Sequence, residues 1–280
     1  MKTLMQLVKM VLDQAYCELP AQQESEKDRL VKAEFDRLTP AYRNLTDANR
    51  PAINYSEPVT RFAYIYKYTV AHADYIRQLI RGCPDISNLF TQPKVNVACL
   101  GGGPGSDLLG IMKYMIQSSS KSKFKCFIFD KERAWGDSWS DVADNLEATF
   151  QVFPIFQQLD VTESATWSSY QKFLEADLFT LSFFMSEVWR IRTQADPFFE
   201  HCFTQAKPGA LFLFIDNNSP VFYDWFDRLA SKNGLQQVQK QETKLAFSMD
   251  EEKTDLGVYY SKFGWPKRES DVAYRVMRKA

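Results

Sequence analysis

The residues best equipped to do chemistry follow a short apolar run. In "VNVACLGGGPGSDLLGIMKYM", Val95 to Met115, the four glycines Gly101, Gly102, Gly103 and Gly105 and one proline separate a strand-like segment from a helix-like one. Such a turn lets a ligand approach the main chain and the N-terminus of the next helix. Dinucleotides, phosphates and nucleosides all use turns of this kind. Three later segments carry acids where a strand should end: "FKCFIFDKERAW" at Asp130, "FPIFQQLDVT" at Asp160 and "DLFTLSFFMSEVWR" at Glu187. A carboxylate so placed can accept two hydrogen bonds from ribose hydroxyls, bond an adenine amino group, or take a proton from an acceptor.

The glycine spacing narrows the ligand without fixing it. Gly101, Gly103 and Gly105 give G-x-G-x-G, whereas the dinucleotide fingerprint needs a small residue one place later. Ser106 fills that place tolerably. No Gly-Lys-Ser/Thr follows, which excludes a P-loop. Asp107, in the first turn of the helix, would oppose a pyrophosphate by roughly 1 kcal/mol if partly solvated. S-adenosylmethionine has no phosphate and carries a sulfonium and an ammonium, for which a carboxylate is neutral or helpful. Asp107 as ordinary helix N-terminal charge remains the alternative.

Asp130 lies 25 residues beyond Gly105, a distance that accommodates a helix and the "SSSKSK" loop. It is the candidate ribose ligand, with Lys131 beside it. Asp160 is the candidate for the adenine amino group, with the Val161 backbone facing the ring. Met185 and Arg61 complete the cofactor set, Arg61 by reaching a carboxylate. Ser186, Glu187 and Trp189 lie past the fourth strand, on the acceptor side of an open sheet. Glu187 is the candidate for orienting or deprotonating the acceptor and Ser186 its companion; a capping role or pairing with Arg190 or Arg192 is the alternative for Glu187. In "RFAYIYKYTVAHADYI", Tyr64, Tyr66, Tyr68 and His72 offer rings and polar atoms to a base, or else core packing. Trp135 and Trp139 could flank adenine or cover the sheet.

The elements that must position these groups follow from periodicity. "VNVACL", "FKCFIFD", "FPIFQQLD", "DLFTLSFFM" and "GALFLFID" are short apolar runs, most of them separated by helical segments. They predict a parallel sheet covered on both faces. "LQQVQKQETKLAF" and "DVAYRVMRK" lack a long helix between them and predict an antiparallel pair at one edge. The sum is an α/β fold: a Rossmann-like, seven-stranded, mostly parallel sheet with helices on both faces. A helical N-terminal extension or lid over 1–90 precedes this 91–280 domain. Leu4, Leu7, Val8, Val11 and Leu12 repeat at helical spacing, which predicts an amphipathic first helix packed on the body.

Taken in order, "VACLGGGPGSDLLG", "FIFDKERAWGDSW", "LDVT", "LFTLSFFMSEVW" and "KPGALFLFID" resemble the class I S-adenosylmethionine-dependent methyltransferases over about residues 95–280. "LGGGPGSDLLG" is similar to a methyltransferase family that includes fungal large-subunit ribosomal RNA uridine-N3 methyltransferases. The resemblance implies S-adenosylmethionine as cofactor, with Gly101, Gly103 and Gly105 near its methionine part, Asp130 on the ribose and Asp160 on the adenine. Many members carry an acid two residues before the first glycine, where it anchors the glycine loop; this chain has Cys99. No N/D-P-P-Y/F follows the fourth strand, which argues against exocyclic amino-group methylation, and no cysteine pair suits attack on a pyrimidine C5.

With 280 residues, 45% hydrophobic and 15% aromatic, the chain can fill one large core. A net charge of −1 supplies no global drive toward nucleic acid. Lys121, Lys123 and Lys125, with Lys262, Lys267 and Arg268, could form local basic edges for RNA, which stays among the acceptors. Five cysteines without a CxxC pair, and no signal-like or membrane-spanning run, predict reduced thiols in the cytoplasm or nucleus. Only two histidines are present and no metal site is expected. Two rival functions stay open: a nicotinamide-dependent oxidoreductase on the same sheet, and a degenerate cofactor-binding fold acting as an interaction subunit.

Overall fold

The structure is a computed structural model that describes residues 2–47, 53–136 and 150–280. Seven strands form one sheet: β1 (Lys94–Leu100), β2 (Lys123–Asp130), β3 (Val152–Gln158), β4 (Leu178–Ser182), β5 (Leu211–Asn217), β6 (Leu235–Ala246) and β7 (Glu269–Lys279). Their spatial order is β3-β2-β1-β4-β5-β7-β6. The first five run parallel, while β7 is antiparallel to both β5 and β6. This is the expected Rossmann-like sheet. β7 is inserted between β5 and β6, so β6 alone forms that edge.

The alternation along the strands explains why each reads as a continuous apolar run. Val97, Cys99, Leu213 and Ile215 face one core; Ala98, Leu100, Phe212 and Phe214 face the other. Helices Arg192–Gln205 and Pro220–Lys232 cover the second face through Phe198, Phe199, Phe222 and Trp225. The first face is covered by α5 (Ser106–Gln117) and by the N-terminal helices α1 (Leu4–Cys17), α2 (Glu24–Arg43), α3 (Pro58–Tyr64) and α4 (Val70–Gly82). α1 starts with a Thr3–Gln6 capping box and buries Leu4, Leu7, Val8, Val11 and Leu12, as its spacing predicts. A π-helical turn, Ile65–Thr69, joins α3 to α4.

Residues 58–82 are therefore part of the sheet's helical layer. α4 crosses α5 so closely that a Cβ at Gly110 would collide with the Ala73 carbonyl. Buried charges lock the same layer. Asp74 accepts from Arg77 Nε at 2.6 Å and from the Ser248 amide at 2.8 Å, and Lys113 bridges to Glu251. Glu251 in turn accepts from the amides of Leu4 and Met5 at the start of α1. The long β6–β7 connection, with its short helix Val258–Phe263, is thereby tied to the N-terminal helices.

The order of strands reverses between β1 and β4, and ligands in open α/β sheets bind outside the carboxyl ends of strands at such a switch point. The glycine turn leaves β1 on one side of it. On the other, the chain leaves β4 through Phe183, a non-glycine residue with φ +53°, into the short helix Phe184–Val188. Among the described residues no helix is long and apolar enough to cross a membrane.

Candidate functional site

The glycine turn is held from three directions. The Gly102 amide donates to the Phe129 carbonyl (3.0 Å), the Gly103 amide to Asp130 Oδ2 (3.1 Å) and the Gly105 amide to the Gly102 carbonyl (2.8 Å). Gly101 has φ +67°, and a Cβ there would strike the Phe184 ring. Asp107 is not at the surface of the turn. Its side chain is buried, and Oδ2 accepts from the Thr180 hydroxyl of β4 at 2.7 Å. Burial pushes this carboxyl up to about 6, with the Thr180 bond opposing. Asp107 thus acts as a brace beneath the turn, and it supplies an acid to the region where the resemblance expected one at Cys99. Cys99 itself is buried, with its sulfur 3.5 Å from that of Cys126 on β2.

Beside the turn lies a cavity of about 160 Å³, lined by Gly101, Asp130, Lys131, Asp160, Val161 and Glu187 together with aromatic residues. Asp130 Oδ1 accepts from the Glu132 amide (2.9 Å), so each oxygen carries one backbone donor and keeps a lone pair for another. Burial raises this carboxyl to about 6 against those hydrogen bonds. Asp160 behaves oppositely. Its partial burial would raise it, but hydrogen bonds from Lys131 and Thr162 hold it below the usual carboxylate range. Lys131 Nζ lies 2.7 Å from Asp160 Oδ2. Phe129, Leu159 and Val161 supply an apolar wall.

A second, open cleft of about 810 Å³ meets the first at Tyr64, Phe183 and Glu187. Its walls come from distant pieces of chain: Thr39–Thr46, Tyr64–His72, the start of the β4 turn, and Trp265–Asp271. Glu187 Oε1 accepts from Tyr55 Oη at 3.1 Å, and Tyr55 is hydrogen-bonded in turn to Tyr42. Tyr42, Tyr55 and Tyr64 titrate well above ordinary phenols, chiefly from burial and then from the Glu187 charge; Tyr68 is pushed up to about 12 for the same reasons. These groups are hydrogen-bond donors at any working pH. His72 stacks on Phe183 with ring centroids 3.7 Å apart, and its buried Nε2 has no partner among the described residues. Burial and then the Lys267 charge hold its pKa well below the ordinary value, so the ring is neutral.

The candidates drawn from the sequence divide accordingly. Gly101, Asp130, Lys131, Asp160, Val161 and Glu187 converge on the inner cavity, and Tyr64, Tyr68 and His72 on the cleft. Gly102, Gly103 and Gly105 build the turn behind them. Arg61 is directed elsewhere: its guanidinium donates to the Tyr55 and Ser56 carbonyls at 2.9 and 2.8 Å, which fixes the loop that presents Tyr55. Met185 is fully buried in the second core, and Trp189 packs on Phe222 and Trp225 with Arg192 over its outer face. Neither lines the inner cavity or the cleft. Ser186 borders the cleft, but its amide donates to Asp216 (2.9 Å) and its hydroxyl to the Phe183 carbonyl. It anchors the β4 turn. Trp135 is buried against Tyr55 and Tyr64 in the inner cavity's wall, whereas Trp139 lies outside the described residues. Tyr66 is core, bonded to the Tyr259 carbonyl.

Sequence reasoning missed Tyr42, Tyr55 and Asp216. Asp216 lies one residue before the end of β5, much as Asp130 ends β2, so the strand-end rule would have found it; the two tyrosines carry no local signal. Lys121, Lys123 and Lys125 sit before or early in β2, at the end of the sheet opposite the site. Lys262 is bound to Glu24 and Asp28. Of the expected basic edges, only Lys267 lines the cleft.

Charge and donor set decide what the inner cavity suits. Its ionisable carboxylates are Asp130, Asp160 and Glu187, against one cation, Lys131, already engaged by Asp160. That suits a cationic nucleoside with free ribose hydroxyls and opposes a pyrophosphate. The volume is below the roughly 300 Å³ usual for small-molecule sites, because Tyr55, Trp135 and Phe184 crowd it.

No family model matches the sequence, and no curated protein matches it. Solved structures with a similar course of backbone include methyltransferases of different kinds. A SAM-dependent methyltransferase from Methanosarcina mazei is 10% identical, covering 70% of this chain and 97% of that one with a TM-score of 0.45. The 16S rRNA methylase ArmA is 10% identical, covering 88% and 98%, with a TM-score of 0.44. Precorrin-6y C5,15-methyltransferase from Geobacter metallireducens is 9% identical, covering 74% and 89%, with a TM-score of 0.43. A likeness of this degree fixes neither activity nor acceptor.

Proposed function

We propose that the protein is an S-adenosylmethionine-dependent methyltransferase whose acceptor, a nucleobase or another ring heteroatom, enters through the larger cleft. The observation that carries this is the junction of the two cavities at Glu187: an acidic, phosphate-averse nucleoside pocket opens beside an aromatic cleft through Tyr64, Phe183 and Glu187. Asp130 would hold the ribose hydroxyls, Asp160 the adenine amino group, and the glycine turn the methionine part. When bound, the cofactor supplies an electrophilic methyl group. The chain's task is then to align the acceptor, exclude water and take up a proton. Glu187, hydrogen-bonded to Tyr55 and surrounded by phenols, is placed to receive that proton. His72 Nε2, neutral and without a partner among the described residues, lines the same cleft and is available to orient the ring. RNA is one acceptor that this reading admits.

Two measurements test it. Calorimetry should find S-adenosylhomocysteine binding at micromolar concentration and no comparable binding of NAD or NADH. With a labelled methyl donor, radioactivity should pass into the RNA, protein or small-molecule fraction of a cell extract. Glu187→Gln should reduce transfer by about a hundredfold while leaving S-adenosylhomocysteine affinity within a few-fold. Binding of the thioether without transfer to any fraction would favour an interaction subunit instead.

A further inference from the structure

The outer cleft differs from the inner cavity in sign of charge. Arg43, Lys67 and Lys267 line it, and none has a carboxylate partner among the described residues. Lys244 also lines it but is paired to Glu269 at 2.7 Å. Arg43 is exposed and Lys67 is half-buried, its ammonium 5.2 Å from the Phe35 ring centroid. Lys267 is half-buried with its ammonium 5.7 Å from the Tyr68 ring centroid. The Lys267 amide bonds the Lys67 carbonyl (2.8 Å), which sets the two lysines side by side although 200 residues of chain separate them. Burial lowers the Lys267 ammonium's pKa and only Asp271 opposes this, so desolvation has not been matched by a close counter-ion.

We infer that Lys267, Lys67 and Arg43 form a receptor for an anionic group on the acceptor, placed so that the acceptor's ring lies in the cleft along the wall that Tyr68 and His72 line and points toward Glu187. This rests on the methyl-transfer reading and adds the acceptor's class to it: a planar ring carrying a phosphate or a carboxylate. The tilted packing of Tyr42 on Tyr68 (4.9 Å) and of Tyr64 on Tyr68 (5.1 Å) makes a fixed aromatic wall along which such a ring can pack edge to face. Partly desolvated cations are where charge-assisted bonds to an anion gain most. The acids of the cleft do not occupy this corner equally. Glu269 is neutralised by Lys244 and Glu187 bonds Tyr55, which leaves Asp271 as the competing charge.

The test titrates the full-length protein, saturated with S-adenosylhomocysteine, with uridine, uridine 5′-monophosphate, adenosine, adenosine 5′-monophosphate and benzoate. The monophosphates should bind about tenfold or more tightly than their nucleosides at low salt, and Lys267→Ala should erase the difference. Arg43→Ala, at an exposed position, should reduce it severalfold and guards against misfolding of the lysine variant. Benzoate competing with the monophosphates would assign the site to anions in general; its failure to compete would assign it to phosphate. Equal binding of nucleoside and monophosphate, an unchanged preference in both variants, or no binding of any of the five probes would overturn the inference. S-adenosylhomocysteine affinity, measured separately, reports on the methyltransferase reading alone.

Discussion

Asp130 should make cofactor affinity depend on pH in a direction that its surroundings fix. Both carboxylate oxygens already accept one amide each, from Glu132 and Gly103, and each has one lone pair left for a ribose hydroxyl. Those hydroxyls are donors, so they favour the ionised carboxyl, while burial raises the free protein's carboxyl to about 6. Binding therefore competes with a proton below pH 6. The ionised fraction is about nine-tenths at pH 7 and about one-tenth at pH 5, so S-adenosylhomocysteine should bind roughly tenfold more weakly at pH 5. Asp160, held below the usual range by Lys131 and Thr162, remains charged throughout and adds no slope. Calorimetry at pH 5 to 8 in two buffers of different ionisation enthalpy would measure both the affinity and the proton released. Asp130→Asn should bind weakly with a flat profile. Asp107 also titrates near 6 but lies behind the turn, so Asp107→Asn should keep the slope. A flat wild-type profile, or a slope that survives in Asp130→Asn, would refute the assignment of Asp130 to the ribose.

Asp107 has a second consequence, for stability. Its folded pKa is raised from 3.8 to about 6, so the protonated form's advantage is complete below about pH 4 and is lost as pH rises through 6. Asp107→Asn should therefore gain on the wild type by roughly 3 kcal/mol between pH 4 and pH 8 in urea unfolding; a constant difference would mean the carboxyl does not titrate there. Gly101→Ala combines a left-handed backbone, φ +67°, with a collision against Phe184 and should cost about 2–4 kcal/mol and most cofactor affinity. Gly234→Ala is the control: its φ is +73° but nothing lies within 4 Å, so about 1 kcal/mol should be lost and binding kept. Arg77→Met leaves the buried Asp74 charge faced by one more distant cation, Lys113 at 3.5 Å, and by neutral donors from Ser248 and Gln78, and should cost about 3–5 kcal/mol in thermal or urea unfolding.

What the sequence made legible was whatever is encoded within one element and its turn. Strands buried on both faces are apolar at most positions, so β1, β2, β4 and β5 could be read directly, and the acids at or just past the ends of β2 and β3, Asp130 and Asp160, marked the binding edge. The glycine turn was equally local. Residues whose role depends on tertiary neighbours were not legible. Arg61 has the right chemistry for a ligand carboxylate, yet two backbone carbonyls capture it. Met185 and Trp189 follow β4 as a ligand residue should. The left-handed step at Phe183, however, rotates the short helix so that Met185 faces the core and Glu187 the junction. Tyr55 and Tyr42 reach Glu187 from more than 130 residues away, a proximity that no spacing rule announces.

The same tertiary folding gives the site its division of labour. The inner cavity is built largely by the carboxyl ends of β2, β3 and β4 and the turns that follow them, which carry Asp130, Asp160 and Glu187, and it inherits a negative character from these acids. The outer cleft is built by segments added at the two flanks of the sheet, the N-terminal helices and the β6–β7 connection, and these bring the unpaired cations. Glu251 ties the β6–β7 connection to α1 and to Lys113, and the bond from the Lys267 amide to the Lys67 carbonyl joins the same two flanks at the cleft itself. A donor whose charge is positive and an acceptor whose charge is negative would then each find its own compartment. Each is disfavoured in the other's place by like charge, and the two reacting ends meet only at Tyr64, Phe183 and Glu187.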